Sequence, residues 1–122
     1  MMKIITILCL VLLSVHSYSQ EVVKGPFLIR DGIYYHQDTD ELVTGIVDTF
    51  WNNGQLQTRT KFKDGKEDGL MEWFHVNGRL WWRGNYKDGK QDGLWEFFDE
   101  YGNLTSTQTW ENGEVVKTNL NP

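Results

Sequence analysis

The chain has 122 residues, with 12 basic and 17 acidic side chains, one cysteine, and six Trp, five Tyr and six Phe residues. This length allows one small domain, and the acidic balance argues against nucleic acid as a partner, because phosphates require a basic face. A single cysteine excludes a disulfide within the chain, so stability has to come from packing.

Residues 1–19 have the organisation of a secretory signal peptide. A short basic start is followed by the mostly apolar residues 4–15, and Ser-Tyr-Ser at 17–19 places small side chains before a cleavage site at Gln20. The apolar run is shorter than the about 20 residues that a membrane span needs. We therefore expect an exported protein (periplasmic, envelope-associated or secreted) with no transmembrane segment after cleavage. Loss of Lys3 would leave 11 basic and 17 acidic residues, a net charge of −6.

Residues 20–44 are predicted to form an N-terminal cap and a leading hairpin. Apolar residues at 27–29 favour a first strand, Asp31-Gly32 is a turn signal, and residues 33–36 favour a second strand. This segment lacks the repeat described next. Because repeat arrays need atypical ends that protect their edges, we interpret it as a cap.

A 24-residue repeat begins at Gly45 and organises the chain as far as residue 117. Its three units are residues 45–68, 69–92 and 93–116. Nine of the twelve glycines recur at this period: Gly45, Gly54, Gly65, Gly69, Gly78, Gly89, Gly93, Gly102 and Gly113. The period and the strand-like pattern of each unit predict an all-β protein, an elongated and twisted antiparallel sheet of tandem β-hairpins.

Each unit is predicted to be one hairpin. In the second unit, Asn77-Gly78 favours a type I′ turn, because both residues tolerate a positive φ. The predicted pairs are Phe74 with Trp81, Trp73 with Trp82, and Glu72 with Arg83. In the first unit the same rule places Asp48 opposite Arg59, so acids face bases across both hairpins. Asp-Gly steps in residues 63–68 and 87–92 are predicted to be the turns that join successive hairpins.

Alternation along the strands sorts the side chains into two faces. The face expected to be buried is rich in large apolar side chains: Val47, Trp51, Leu56, Phe62, Met71, Trp73, Leu80, Trp82, Tyr86, Trp95, Phe97, Leu104 and Trp110. The other face carries the charge pairs and an aromatic row, Phe50, Phe74 and Phe98, with Trp81 beside Phe74. These four residues either pack beneath the cap or a second layer, or form the candidate partner-binding site.

At the end of the array, residues 113–117 favour a closing edge strand, and residues 118–122 a loose C-terminal tail. A short, charged edge strand resists further pairing. Pairing edge to edge in a homo-oligomer nevertheless stays open.

The residues after the leader show no catalytic pattern. His36 and His75 have no nucleophile elbow, phosphate loop or metal-ligand spacing around them, and His75 closes a hairpin. Four aspartates lie beside turn glycines and lysines, where turn chemistry explains them better than calcium binding: Asp64, Asp68, Asp88 and Asp92. We therefore expect no enzyme, cofactor or metal.

The spacing G-x-x-x-x-F-x-x-x-G-x-L, then an aromatic residue, then K-D-G-K-x-D-G, resembles the variant MORN repeat of bacterial proteins, including the YwqK-family antitoxin group. The resemblance covers Gly45 to Gly113. It implies an elongated antiparallel sheet of successive hairpins and a role in partner binding, membrane association or toxin neutralisation.

These observations predict a non-catalytic, exported repeat module that binds a protein or a cell-envelope component through its sheet. Two alternatives stay open. One is a toxin-neutralising, antitoxin-like or immunity-like protein, and the other is a glycan-binding module in which Trp81, Trp82 and Arg83 hold the sugar.

Overall fold

The computed structural model describes residues 21–121, so the predicted signal peptide lies outside the described residues. Within this range the chain forms nine strands and no helix, and hence no helix that could cross a membrane. The strands are β1 (Phe27–Arg30), β2 (Ile33–His36), β3 (Gly45–Phe50), β4 (Leu56–Lys63), β5 (Lys66–Phe74), β6 (Leu80–Lys87), β7 (Lys90–Phe98), β8 (Leu104–Glu111) and β9 (Glu114–Leu120).

Strands β3 to β9 form one seven-stranded sheet in which every strand pairs antiparallel with the next one in sequence. Strands β1 and β2 form a separate two-stranded sheet. The predicted all-β fold, an antiparallel sheet of tandem hairpins, is confirmed. Strand β9 has seven residues where five were predicted, and it ends three residues later, because residues 118–120 pair with β8 instead of belonging to a loose tail.

The tightest turns lie at the Asp-Gly steps rather than at Asn77-Gly78. Asp64 and Gly65 have φ of 50° and 82°, and Asp88 and Gly89 have φ of 49° and 80°. Two consecutive positive φ angles are the signature of a type I′ turn. The joining segments are therefore hairpins as tight as any in the sheet, and they make the sheet a continuous meander.

The predicted type I′ turn at Asn77-Gly78 is wrong. Gly78 has a positive φ of 90°, but Asn77 does not have a positive φ. The Gly78 N–H donates to the His75 carbonyl (2.9 Å), and the His75 N–H donates to the Arg79 carbonyl (2.7 Å). This pattern is a three-residue loop with a left-handed glycine. The Asn77 side chain fixes it by accepting from the Arg79 N–H and donating to the Glu100 carbonyl.

A β-bulge follows this loop in each of the three repeats. Trp73 pairs with Trp82, and Glu72 with Arg83, as predicted, but Phe74 pairs with Leu80 instead of Trp81. The extra residue on the second strand is Gln57, Trp81 or Thr105 in the three repeats. Because directly opposite residues share a face, Leu56, Leu80 and Leu104 lie with Phe50, Phe74 and Phe98. The prediction that these three leucines lie on the buried face is therefore wrong.

The first end of the sheet is covered by the residues before β3. The Val23 N–H donates to the Ile46 carbonyl, so residues 21–23 run along the outer edge of β3. Tyr34 packs its ring 4.7 Å from that of Phe62 and donates its N–H to the Gly65 carbonyl. At the other end, all seven residues of β9 are exposed.

Few hydrophobic side chains of the described residues are fully buried: Val43, Phe62 and Trp95. Most members of the face that was expected to be buried are only half-buried, including Met71, Trp73 and Trp82. The reason is geometric. The hairpin β1–β2 covers the Phe62 end of that face, and the rest of the described sheet is a single layer.

Candidate functional site

One side of the sheet carries a continuous line of aromatic rings, which we call the aromatic face. Its members are Trp73, Trp81, Trp82, Tyr86, Trp95 and Trp110. The ring centroids of neighbouring pairs lie 5.0–6.2 Å apart: Trp73–Trp81, Trp73–Trp82, Trp82–Trp95, Tyr86–Trp95 and Trp95–Trp110. These separations fall within the range in which aromatic pairs attract one another. The face is thus a connected aromatic surface across four strands.

Trp95 is the buried centre of this surface, with 2% of its area exposed. Its indole Nε1 donates to the Asn85 carbonyl at 3.2 Å. The ring lies over Gly84, where a Cβ atom would be 2.1 Å from the nearest ring atom. The absence of a side chain at Gly84 therefore leaves the space that the Trp95 ring occupies.

The opposite side, which we call the charged face, carries the ion pairs of the seven-stranded sheet. Arg59 makes two hydrogen bonds of 2.8 Å to Asp48, as its predicted position opposite that residue requires. These bonds, opposed by burial, raise the pKa of Arg59 above its ordinary value. Arg83 lies opposite Glu72 as predicted, but its Nε donates to Glu96 on the next strand at 2.9 Å.

The four predicted partner-binding residues do not form one surface. Phe98 lies on the charged face, with the Arg83 guanidinium carbon 5.9 Å from its ring centroid, and register places Phe50 and Phe74 on the same side. Trp81 lies on the aromatic face instead. It stacks on His75 at 5.1 Å and meets Trp73 edge-on at 6.2 Å. The bulge turns Trp81 away from Phe74, so their predicted adjacency is wrong.

The longer loops are tied to one another by side chains that reach the next repeat. Trp51 Nε1 donates to the Phe74 carbonyl at 3.1 Å, and Asn53 Nδ2 to the Val76 carbonyl at 3.1 Å. In the next repeat, His75 Nε2 lies 3.3 Å from the Phe98 carbonyl. His75 is thus held within the second repeat by its backbone bonds and by its stacking on Trp81, and its side-chain nitrogen links it to the third repeat.

A cleft of about 340 Å³ opens at the first-repeat end of the aromatic face. Its lining combines aromatic rings with hydroxyl, amide and carboxylate groups: Tyr34, Val47, Thr49, Gln57, Thr58, Thr60, Phe62, Glu67, Met71 and Trp73. Thr49 Oγ1 lies 2.6 Å from Thr58 Oγ1 and 3.2 Å from Gln57 Oε1. Sequence reasoning missed this cleft, because it assigned no role to the threonines on this side of the first repeat.

The repeat itself explains the cleft. One period after Thr49 and Thr58 stand Trp73 and Trp82, whose rings fill the face of the second repeat. Threonine at both first-repeat positions leaves that volume open. The sequence shows that positions 49 and 58 lack the tryptophans of the second repeat. This difference indicates a cleft only when the two positions are known to share a face.

Electrostatics around the cleft are acidic. Burial, and to a smaller degree the negative charge of Glu67, raises the pKa of Tyr34. Burial, followed by Glu67 and Tyr34, also raises the pKa of Tyr86. Both phenols therefore stay neutral hydrogen-bond donors in ordinary buffers. No Lys, Arg or His side chain lines the cleft.

Trp73 differs from three other tryptophans in that its indole nitrogen makes no hydrogen bond within the part of the chain that the structure describes. Its Nε1 is buried and has no hydrogen-bond partner among the described residues, whereas Trp51, Trp95 and Trp110 donate to oxygen atoms. Within residues 21–121, no group of three or more His, Cys, Asp or Glu side chains is placed to hold a metal ion.

No protein-family model matches this chain, and no curated protein matches it either. Among solved structures, it is similar to the crystal structure of TarM, with a TM-score of 0.41 and 18% identity over 90% of this chain and 23% of that one. It is also similar to a mutant of S. aureus TarM in complex with Fondaparinux, alpha-GlcNAc-glycerol and UDP, with a TM-score of 0.40 and 17% identity over the same shares. The chain spans less than a quarter of these proteins, and such scores carry no argument about its function.

Proposed function

We propose that this protein is an exported, non-catalytic binding module that holds a protein or another cell-envelope component on the aromatic face of its sheet. The observation that carries the proposal is the connected aromatic surface, most of which is only half-buried. Large aromatic side chains supply contact area at a low cost in side-chain entropy, and exposed apolar patches of this kind mark binding surfaces.

Trp81 is the most accessible point of this surface. It is 41% exposed, yet it is fixed by contacts with His75 and Trp73. Tryptophan is enriched among the residues that dominate binding energy at interfaces, and a ring that is already held in place loses little freedom on binding. Trp81 is therefore the residue of the predicted site that the geometry favours.

The experiment compares two single variants that sit on opposite faces. Phe50, which is 60% exposed on the charged face, is the matched control for Trp81. Tagged residues 20–122 are used to capture components of an envelope extract, beside Trp81→Ala and Phe50→Ala, after circular dichroism has shown that both variants are folded. Retained material is identified by mass spectrometry and by carbohydrate staining.

The expected result is a specific component that wild type and Phe50→Ala retain and Trp81→Ala loses. Loss in Phe50→Ala alone would move the site to the phenylalanine row of the charged face, as one sequence-based interpretation holds. If none of the three proteins retains a specific component, the proposal is wrong.

A further inference from the structure

We infer that the cleft at the first-repeat end of the aromatic face is a binding site for an uncharged sugar ring, such as the terminal residue of a neutral envelope glycan. The inference rests on the proposed function and names the ligand class for one part of the same face.

The shape of the cleft suits one ring. Its volume of about 340 Å³ lies at the lower end of the range for small-molecule sites, about 300–1,000 Å³. The Trp73 ring forms one side, and the Tyr34 and Phe62 rings, 4.7 Å apart, form another. A pyranose presents a face of C–H bonds, whose partial positive charge is attracted by the negative face of an aromatic ring.

The hydrogen-bonding groups suit hydroxyls. Thr58 and Thr60, which are 8% and 6% exposed, bring hydroxyl groups to the floor of the cleft. The chain of contacts from Thr58 through Thr49 to Gln57 ends on the Gln57 side-chain oxygen, and within the described residues the Gln57 amide nitrogen makes no hydrogen bond. Glu67 adds a carboxylate acceptor. The lining of the cleft therefore supplies both donors and acceptors, which is what a polyol requires.

The charge argues for a neutral ligand. The lining has one ionisable acid, Glu67, and no basic side chain, so an anionic sugar would meet repulsion without a compensating cation. A quaternary ammonium group could use the aromatic rings and Glu67 through cation–π attraction. It would leave the threonine hydroxyls and the Gln57 amide without a role, and the sugar is therefore the better match.

Trp73 supplies a further reason. Its buried Nε1 has no acceptor among the described residues, and an unmade hydrogen bond of this kind is costly. A ligand oxygen that reached this nitrogen would provide the acceptor that the described residues do not supply.

The test measures tryptophan fluorescence and heat release while residues 20–122 are titrated with maltotetraose, cellotetraose or chitotetraose. Tetragalacturonate and choline serve as the anionic and cationic probes. Thr49→Val/Thr58→Val removes two hydroxyls at nearly constant volume. Ser106→Ala removes a hydroxyl at the position that corresponds to Thr58 two repeats later, outside the cleft, and is the matched control.

A third variant fills the cleft. Thr49→Trp introduces the residue that the second repeat carries at this position, where the fold accommodates it as Trp73. This variant is expected to fold and to lose binding. It separates the loss of the site from the loss of the fold, which circular dichroism monitors in every protein.

At least one neutral tetraose is expected to bind the wild-type protein. Its affinity should be about tenfold lower for Thr49→Val/Thr58→Val and unchanged for Ser106→Ala. Thr49→Trp should not bind it. Equal or tighter binding of tetragalacturonate or choline would overturn the inference, and so would neutral binding that survives Thr49→Trp. If no tetraose binds at millimolar concentration while the envelope capture still depends on Trp81, the sugar site is wrong and the proposed function stands. If neither experiment shows binding, both fail.

Discussion

Trp95 on β7 lies directly over Gly84 on β6, so close that a Cβ atom at Gly84 would be 2.1 Å from the indole ring. The pair joins a tryptophan, the largest type of side chain, to a glycine, the smallest residue, at the centre of the aromatic face. Protein interiors pack to a high density, and a ring held on both sides has no room to yield. This contact therefore fixes the position of the rings beside it, Trp82, Tyr86 and Trp110.

Gly84→Ala is expected to lower the free energy of unfolding by about 1–3 kcal/mol, because an added methyl group overpacks a buried site. Gly84 has no positive φ, so the cost is steric. Urea unfolding followed by tryptophan fluorescence measures it. Gly54→Ala is the comparison. Gly54 has a φ of +87°, and a Cβ atom added there would have no neighbouring atom within 4 Å, so the loss of stability would come from backbone strain alone.

A double-mutant cycle with Trp95→Leu checks the cause. A smaller side chain at position 95 should remove most of the cost of Gly84→Ala and leave that of Gly54→Ala unchanged. Additive effects of Gly84→Ala and Trp95→Leu would contradict the steric explanation.

Asp88→Val is expected to destabilise the protein by about 1–2 kcal/mol, since Asp88 holds a φ of 49° that a β-branched residue resists. Glu100→Val is the matched control. Glu100 is an exposed residue of a longer loop and does not have a positive φ. Thermal unfolding of the two variants measures the difference. Equal melting temperatures of the two variants would mean that the positive φ of Asp88 in the type I′ turn does not affect the stability of the protein.

The stability of the protein should fall at high pH because of Tyr34 and Tyr86. Both have a pKa raised by burial and by Glu67, so in the unfolded chain they ionise first, at their ordinary pKa of about 10. The stabilisation is therefore fully present below about pH 10 and is lost as the pH rises towards the folded-state pKa. Urea unfolding at a series of pH values follows the loss.

Two variants test this assignment. Tyr34→Phe/Tyr86→Phe should flatten the alkaline fall in the free energy of unfolding. Glu67→Gln, which removes the smaller contribution to both shifts, should let both phenols ionise at lower pH in the folded protein, as tyrosinate absorbance reports. An alkaline fall of the same size in the Tyr34→Phe/Tyr86→Phe protein would rule out these residues as its source.

Asp99 should make the third loop sensitive to acid. Its carboxylate accepts hydrogen bonds from the Asn103 and Tyr101 backbone N–H groups, at 2.9 Å each, and these bonds lower its pKa. A lowered pKa contributes stability that is present above the ordinary value of about 4 and is lost as the pH falls through the folded-state pKa.

The measurement compares wild type with Asp99→Asn, which keeps one acceptor oxygen but has no charge. Wild type should be more stable at neutral pH, and the difference should shrink as the pH falls below 4. Amide exchange at Tyr101 and Asn103 gives a local readout. A difference that does not change with pH would show that charge on Asp99 has no part in holding the loop.

Much of the fold could be predicted because its signals are local. Turn glycines and alternating strands gave the three units, and the pairing of Trp73 with Trp82 and of Asp48 with Arg59 followed from them. The candidate site was predicted less well. Regular alternation along β6 predicts that Trp81 shares a face with Phe74, but the bulge at Trp81, which simple counting does not reveal, changes the face of this residue.

The sequence by itself determined the 24-residue period, the succession of antiparallel strands and the glycine positions, since these depend on the conformational preferences of neighbouring residues. Only the tertiary structure decided which turns are primed, where each hairpin bulges and which side chains share a face. Those features depend on contacts between repeats, such as the bond from Asn77 to the Glu100 carbonyl, 23 residues away. The cleft belongs to the same class, because the space beside Thr49 and Thr58 exists only where Tyr34, Phe62 and Trp73 are brought around it.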